Sequence, residues 1–558
     1  MSRIRAGVEG LARLPTLVRT LVHLRPAQAR AQIHHLLFGL SAPRKAAGSP
    51  ASLAITRPHT PFLEPPRHVQ SMGGTRIELL GLHFDLTGGI DWAAQDQGPL
   101  FAYHLHQHEY LRLSALRPGE RAKVLTDWIE NHSKGTGWDP HPISLRLLCW
   151  GKMLITPDMY PTDAGLRDEM LRSMADQLET LAQGLEVRLQ ANHLLSNLVA
   201  LVFGGLLLDG SSSAAWRDHS KLLLRELDAQ VRPDGGHEER SPMYHSLLLE
   251  NLLDLLNLCL AKPSRAPIGL ESRLSEVVAR MLDALAFWTH PDGRIALFAD
   301  SAFDVAAEPR ALRDYAKRLG VDSVAHSGPG ILAQTGYLRL CSSEFDLIAS
   351  VAGPAPAHQP GHAHCDALAF ELSVSGVRFV TDTGLFEYRP GARRDRARAT
   401  ASHSTIQIDG AEQAEVWAAH RVGGRPRVEL TAWDESGSAE ATCRGWSRGA
   451  ALHRRFFSVQ SDGVTIVDRV EGPSREVRLC FPIDPVWQVE LLSDRARATR
   501  ASDGEANGLV EIELTRDLEW TLERQPYYPR FGCEVERFVL VGVGARCEEV
   551  TTRIRRLA

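Results

Sequence analysis

Three stretches of the sequence gather side chains able to bind an anion, move a proton or hold a metal. The first is Asn192-His193, which opens the apolar run Leu194-Leu195-Ser196-Asn197-Leu198. If that run is helical, both residues lie near its N-terminal end, where unpaired N–H groups and the helix dipole favour anions. The same asparagine could equally serve as a helix cap. The second stretch runs from Asp234 through Gly235-Gly236-His237-Glu238-Glu239-Arg240-Ser241-Pro242-Met243 to Tyr244 and His245, immediately before another apolar helix. Loops braced by a rigid helix commonly carry reactive groups, although a solvated turn with Ser241 or Pro242 starting the helix would have the same composition. The third is Gly361-His362-Ala363-His364-Cys365-Asp366. On a strand, His362 and His364 would point to one face. Asp382 and His403 could complete a His/Asp/His set of the N and O donors that zinc accepts. A hydrogen-bonded structural knot is the alternative reading of so many histidines.

These residues need a scaffold, and the pattern changes once along the chain. From about residue 95 to 320 apolar residues recur at helical spacing, as in Leu247, Leu248, Leu252, Leu255, Leu256 and Leu258. Breaks such as Gly137-Trp138-Asp139-Pro140 and Pro233-Asp234-Gly235-Gly236 separate the helices into antiparallel pairs. Beyond about residue 330 short alternating runs take over, including Tyr337-Leu338-Arg339-Leu340, Leu368-Ala369-Phe370-Glu371-Leu372 and Thr405-Ile406-Gln407-Ile408. Helices followed by a series of strands predict a multidomain α+β chain, with a helical domain and then an antiparallel β-sandwich. The change falls between residues 318 and 330. The predicted division is a basic arm and lead-in over 1–94, a helical domain over 95–325 and a β domain over 326–558.

Composition excludes several classes. With 558 residues, 44% hydrophobic and 23% charged, the chain can bury more than one core and is neither fibrous nor disordered. A net charge of −5 gives no global reason to bind nucleic acid, though a local basic cleft could hold an acidic ligand. The longest apolar stretch, Leu194 to Leu208, is too short to span a bilayer and contains Ser196 and Asn197. Eight scattered cysteines without a C-x-x-C pair suggest buried apolar residues rather than a thiolate site. Residues 1–60 carry Arg3, Arg5, Arg13, Arg19, Arg25, Arg30, Arg44, Lys45 and Arg57 against the single acid Glu9. No cleaved secretory signal is expected there, because arginines interrupt every apolar run. The arm is predicted to be amphipathic and packed on the body, with contact to a membrane surface or partner as the alternative.

Taken in order, these stretches resemble the heparinase II/III family of polysaccharide lyases. Further landmarks are Trp138-Asp139-Pro140-His141-Pro142-Ile143-Ser144-Leu145-Arg146, Asp292-Gly293-Arg294-Ile295-Ala296-Leu297-Phe298 and Glu415-Val416-Trp417. The resemblance implies an incomplete α/α toroid followed by an antiparallel β-sandwich, with the cleft between them. Carried over by motif, it implies catalytic roles for Asn192, His193, Tyr244 and His362, and a structural zinc on His364, Asp382 and His403, with no organic cofactor. Cys365 and Ser404 stand where relatives often have Ala and Asn, and Tyr388 is the candidate for a second tyrosine. The family commonly acts outside the cytoplasm; oligomeric state leaves no trace in the sequence.

The chemistry so implied is β-elimination on an acidic polysaccharide, leaving an unsaturated C4=C5 uronate end. Asn192 and His362, helped by Arg240, would neutralise the uronate carboxylate. Tyr244 or His193 would take the C5 proton, and Tyr244 could return it to the departing O4. Two other readings remain: a zinc-dependent hydrolase built on His364, Asp382 and His403, and a catalytically silent polysaccharide-binding protein in exopolysaccharide assembly.

Overall fold

The computed structural model describes residues 14–39, 42–46, 52–94, 96–159, 161, 163–323, 328–502, 505–545 and 548–557. Arg3, Arg5, Glu9, Arg13 and Cys547 of the sequence analysis lie outside the described residues. Helices dominate up to Arg318 and antiparallel strands from Gly330 onward. This is the incomplete α/α toroid and β-sandwich that the residue pattern and the resemblance predict.

Four long helices carry the cleft. Pro140–Ile155 packs on Ala191–Leu207, which packs on Pro242–Ala261, which in turn packs on Leu270–Phe287. Ala191–Leu207 is buried along almost its whole length, because its residues are apolar on every side and neighbours surround it. Pro242–Ala261 has a well-formed start: Pro242 needs no N–H partner in the first turn, and the Ser241 hydroxyl accepts from the Tyr244 N–H at 3.2 Å. The β half contains a five-stranded meander (330–380), a four-stranded sheet and an eight-stranded sheet. Strands Leu452–Gln460 and Gly463–Glu471 alternate buried and partly exposed residues, as a sheet with one face on a core requires. Phe370–Val374 is buried throughout, since both faces of its sheet are covered. Ala284, Phe287, Trp288, Ala296 and Phe298 from the helical half share one apolar cluster with Leu332, Tyr337, Ile348 and Ala369 from the β half. That seam fixes the two halves beside the cleft.

The basic arm forms two helices, Leu14–Leu21 and Pro26–Phe38, laid on the β half. Arg19 Nε and Thr16 Oγ1 donate to the Glu415 carboxylate, each at 2.7 Å, and Trp417 Nε1 donates to Thr20 Oγ1 at 3.1 Å. A small three-stranded sheet over 69–85 follows, which the sequence reading did not foresee. Cys149, Cys259, Cys365, Cys443 and Cys480 are buried, and Cys341 and Cys533 partly so.

Gly235 sets the turn that leads to the Tyr244 helix. Its φ is +84°, and a Cβ there would lie 2.0 Å from the Arg280 carbonyl oxygen. Gly235→Ala is expected to lower stability by at least about 2 kcal/mol, measured as the shift of the urea unfolding midpoint; an unchanged midpoint would mean that the turn is not strained.

Candidate active site

Four of the expected residues converge at one end of the toroid. Asn192 Nδ2 lies 3.3 Å from His362 Nε2, although the two are 170 residues apart. The Tyr244 ring stacks on the His362 ring, with centroids 3.9 Å apart. Tyr244 and Tyr388 share a hydrogen bond between hydroxyls at 2.7 Å. Asn192, Tyr244 and Tyr388 line a cavity of about 160 Å³ that also meets His141, Tyr103 and His104. Burial pushes both phenols above their usual range. For Tyr244 the bond with Tyr388 and the nearby Arg394 guanidinium work against that rise.

Left-handed backbone places these groups. Gln190 and Ala191 have φ of 59° and 49° just before Asn192, Arg240 has 60° just before the Ser241 cap, and Ala299 has 55° just before Asp300. Non-glycine residues in this region cost about 1 kcal/mol or more each, so the surrounding packing must hold them.

Asp300 organises the back of the site. Its Oδ2 accepts from His362 Nδ1 at 2.9 Å and its Oδ1 accepts from His364 Nε2 at 2.8 Å. Both oxygens also receive the buried Arg394 guanidinium, Nη2 at 2.9 Å and Nη1 at closer range. Burial would raise the Asp300 pKa, but Arg394 and the bonds from His362 and His364 together outweigh it and hold the carboxyl well below the ordinary range. With Nδ1 committed to Asp300, His362 turns Nε2 toward the cleft. His362 and His364 lie in a loop and not on a strand, so the expected same-face geometry does not occur. They grip the two oxygens of one carboxylate instead.

His193 stands at the rim, its Nδ1 3.2 Å from Glu186 Oε1 and its ring 4.5 Å from that of His141. Burial opposes a charge on His193, yet Glu186 wins and raises its pKa. The Glu186 carboxylate is pushed down to about 2, because His193, His141 and Asn197 outweigh its own burial. His141, Glu186 and His193 are close enough to hold a metal, but Glu186 already accepts from both His193 and Asn197, at 3.2 and 3.1 Å. An ion pair accounts for the cluster. Arg240 is not drawn into the cluster: its guanidinium donates to the Gly353 carbonyl, and its own carbonyl accepts from the Tyr337 hydroxyl at 2.7 Å. His245 is likewise spent on the Met281 carbonyl, at 2.8 Å.

His364, Asp382 and His403 are buried, with one donor atom from each within 4.8 Å of the others. His364 Nδ1 and His403 Nε2 are buried without any hydrogen-bond partner. Orphaned imidazole nitrogens beside a carboxylate are the donors zinc takes, so the set fits the metal. Asp300 on His364 Nε2 would be the outer partner that orients a ligating imidazole.

Residues 121–320 match the Heparinase II/III N-terminus and residues 328–547 the Heparinase II/III-like C-terminal region. The chain belongs to the heparinase II/III family. This is a family of polysaccharide lyases. Among relatives, FtsZ-localized protein C of Caulobacter vibrioides is 26% identical over 531 residues, covering 89% of this chain and 87% of that protein. A heparin-sulfate lyase of Pedobacter heparinus is 27% identical over 246 residues, 39% of this chain and 36% of the lyase. Heparinase III has the same fold, with a TM-score of 0.68 at 18% identity over 85% of this chain and 80% of that structure.

Sequence reasoning missed Glu239, Asp300, Arg394, Glu186 and the placement of His141. Glu239 accepts from Asn192 Nδ2 at 2.9 and 3.1 Å and is as buried as the groups it serves. It stood in the quoted Asp234–His245 stretch, and His141 stood in a quoted landmark. Arg394 sits in the run Arg393-Arg394-Asp395-Arg396, which reads as a solvated charged segment. Asp300→Asn would leave the Arg394 charge buried without its counter-ion. Breaking one side of such a pair costs about 3–5 kcal/mol, so the variant is expected to unfold at markedly lower denaturant than the wild type. A midpoint like that of the wild type would remove Asp300 from this central position.

Proposed function

We propose that the protein cleaves a uronic-acid-containing polysaccharide by β-elimination, with Asn192, His362, Tyr244 and Tyr388 at the reacting sugar. The observation that carries this reading is a cavity lined by the Asn192 amide and the Tyr244 and Tyr388 phenols, with the His362 imidazole against them, 3.3 Å from Asn192 and stacked on Tyr244 at 3.9 Å. Elimination requires a donor pair for the carboxylate and a proton carrier close to C5 and O4, and these four groups supply both.

In this reading Asn192 Nδ2 and His362 Nε2 bind the uronate carboxylate and stabilise the enolate-like charge that develops on it. Asp300 behind Nδ1 keeps the imidazole aimed. Tyr244 carries the proton. Its phenolate, accepting from the Tyr388 hydroxyl, takes hydrogen from C5; the C–H electrons form the C4=C5 bond; the C4–O4 bond breaks; and Tyr244 returns the proton to O4. His193 is the weaker choice for a base, because Glu186 favours its protonated form. A cationic His193 at the rim would instead attract an acidic group on a neighbouring sugar. Arg240, spent on Gly353, braces the loop. The domain division at 325/326 belongs to the same proposal, since it leaves the cleft residues on both sides of one seam.

Zinc on His364, Asp382 and His403 would hold the β loops, and its chemistry would be that of a structural cation. A second reading, polysaccharide binding without turnover, draws on the long match to FtsZ-localized protein C, whose name gives a location and not a reaction.

Ultraviolet absorbance of the new conjugated double bond, followed on a panel of uronate polysaccharides, separates the readings. The wild type is expected to raise absorbance on at least one substrate, and Tyr244→Phe to lose about 100-fold or more of that rate. Because burial lifts the Tyr244 pKa, the rate should still be climbing with pH at about pH 9, the sign expected when only the phenolate reacts. A rate that falls above neutrality, or full activity in Tyr244→Phe, overturns the assignment; bound polysaccharide with no absorbance on any substrate favours the binding reading. Prolonged chelation is expected to lower the thermal midpoint, with activity lost only in step with folding. Loss of turnover in a chelated protein of unchanged midpoint would favour a zinc hydrolase.

A further inference from the structure

The arm helices bury one side and leave the other bare. The sides facing the body are accounted for: Thr16, Arg19 and Thr20 by Glu415 and Trp417, Gln28 by the His358 carbonyl at 3.2 Å, and Arg25 by Gln190 Oε1 at 3.0 Å. The opposite sides carry Leu14, Val18 and Leu21 on the first helix with Val22 just beyond its end, and Ile33, Leu36, Leu37 and Phe38 on the second. Leu36, Leu37 and Phe38 are 73%, 70% and 72% exposed. Of the thirteen large hydrophobic residues exposed among the described residues, this arm holds eight. Single exposed apolar residues are ordinary, but a contiguous patch of this kind marks a surface that meets something.

Charge says what it meets. From Gly10 to Leu63 the sequence contains no Asp or Glu, whereas it contains Arg13, Arg19, Arg25, Arg30, Arg44, Lys45 and Arg57. Arg30, Arg44 and Lys45 are exposed on the same stretch as the bare residues, and Arg30 lies one helical turn from Ile33 on its stripe. We propose that this face docks on an anionic lipid bilayer, with the apolar stripe in the acyl boundary and the basic side chains among the headgroups. No described helix is long and apolar enough to cross a membrane, so the arm lies on the surface. A second copy of the chain would set two basic faces against each other, which is why the bilayer is preferred. On the body-facing side of the same arm, Arg25 donates to Gln190 in the turn that carries Asn192, which ties the arm to the cleft.

Sedimentation of the full chain with vesicles tests this independently of any turnover. The protein should pellet with phosphatidylcholine vesicles containing phosphatidylglycerol and stay in solution with phosphatidylcholine alone, and the bound fraction should fall as salt rises. The variant Leu36→Ser/Leu37→Ser/Phe38→Ser and the variant Arg30→Glu/Arg44→Glu/Lys45→Glu should each reduce partitioning by about tenfold, with thermal midpoints like that of the wild type. Wild-type protein that ignores the anionic vesicles, or variants that pellet as well as it does, would overturn the proposal. A dimer in light scattering that the serine variant dissolves, without vesicle binding, would assign the face to a second copy.

Discussion

An ionised carboxylate shut away from water must be compensated by donors around it, and Asp300 gathers four bonds from three side chains. Arg394 supplies the compensating charge; His362 and His364 take the remaining directions. The same residue also acts through its backbone. Its N–H donates to the His362 carbonyl at 3.0 Å, and its carbonyl accepts from the Ser241 hydroxyl that caps the Tyr244 helix. One residue at the end of the helical half therefore aims the cleft imidazole, steadies the Tyr244 helix and orients a candidate metal ligand. Remove its charge and three parts of the site lose their common reference.

Strain around the cleft follows from the same demand. Asn192, Ser241 and Asp300 each follow a non-glycine residue with left-handed backbone. Each of these turns sets the position of the side chain that follows it: Asn192 at the cavity, Ser241 as a helix cap and Asp300 behind His362. Such turns persist only where packing over-determines them. Here the apolar seam between Trp288, Phe298, Tyr337 and Ile348 lies behind two of them and supplies that rigidity.

How far the sequence discloses this arrangement depends on whether a residue's role is local. Helix and strand halves were legible because hydrophobic period is a local property. Asn192 and Tyr244 could be located because each opens an apolar helix, and the His364, Asp382 and His403 set because its donor types are distinctive. Asp300 and Arg394 could not, because a buried ion pair across 94 residues leaves no mark on either neighbourhood. Arg394 even carried the opposite signal, lying among charges that look solvated. The His362–His364 pair shows the converse error. Its spacing suggested a strand, but Pro360 precedes it, and the loop turns the two rings to opposite oxygens of Asp300.

The distribution of charge also constrains what the cleft can accept. A chain of net charge −5 must bind a polyanion, if it does so, through local fields. Two carboxylates stand directly behind the cleft, Asp300 and Glu239, and both are engaged by donors: Asp300 by Arg394 and the histidines, Glu239 by Asn192. Their charge is thus drawn away from the cavity, which the Asn192 amide and the Tyr244 and Tyr388 hydroxyl groups line together with Lys152, Glu109 and Glu250. The rim adds His193 with a proton favoured by Glu186. Under the proposed elimination an anionic group would sit at this floor, with the two hydrogen-bonded phenols beside it.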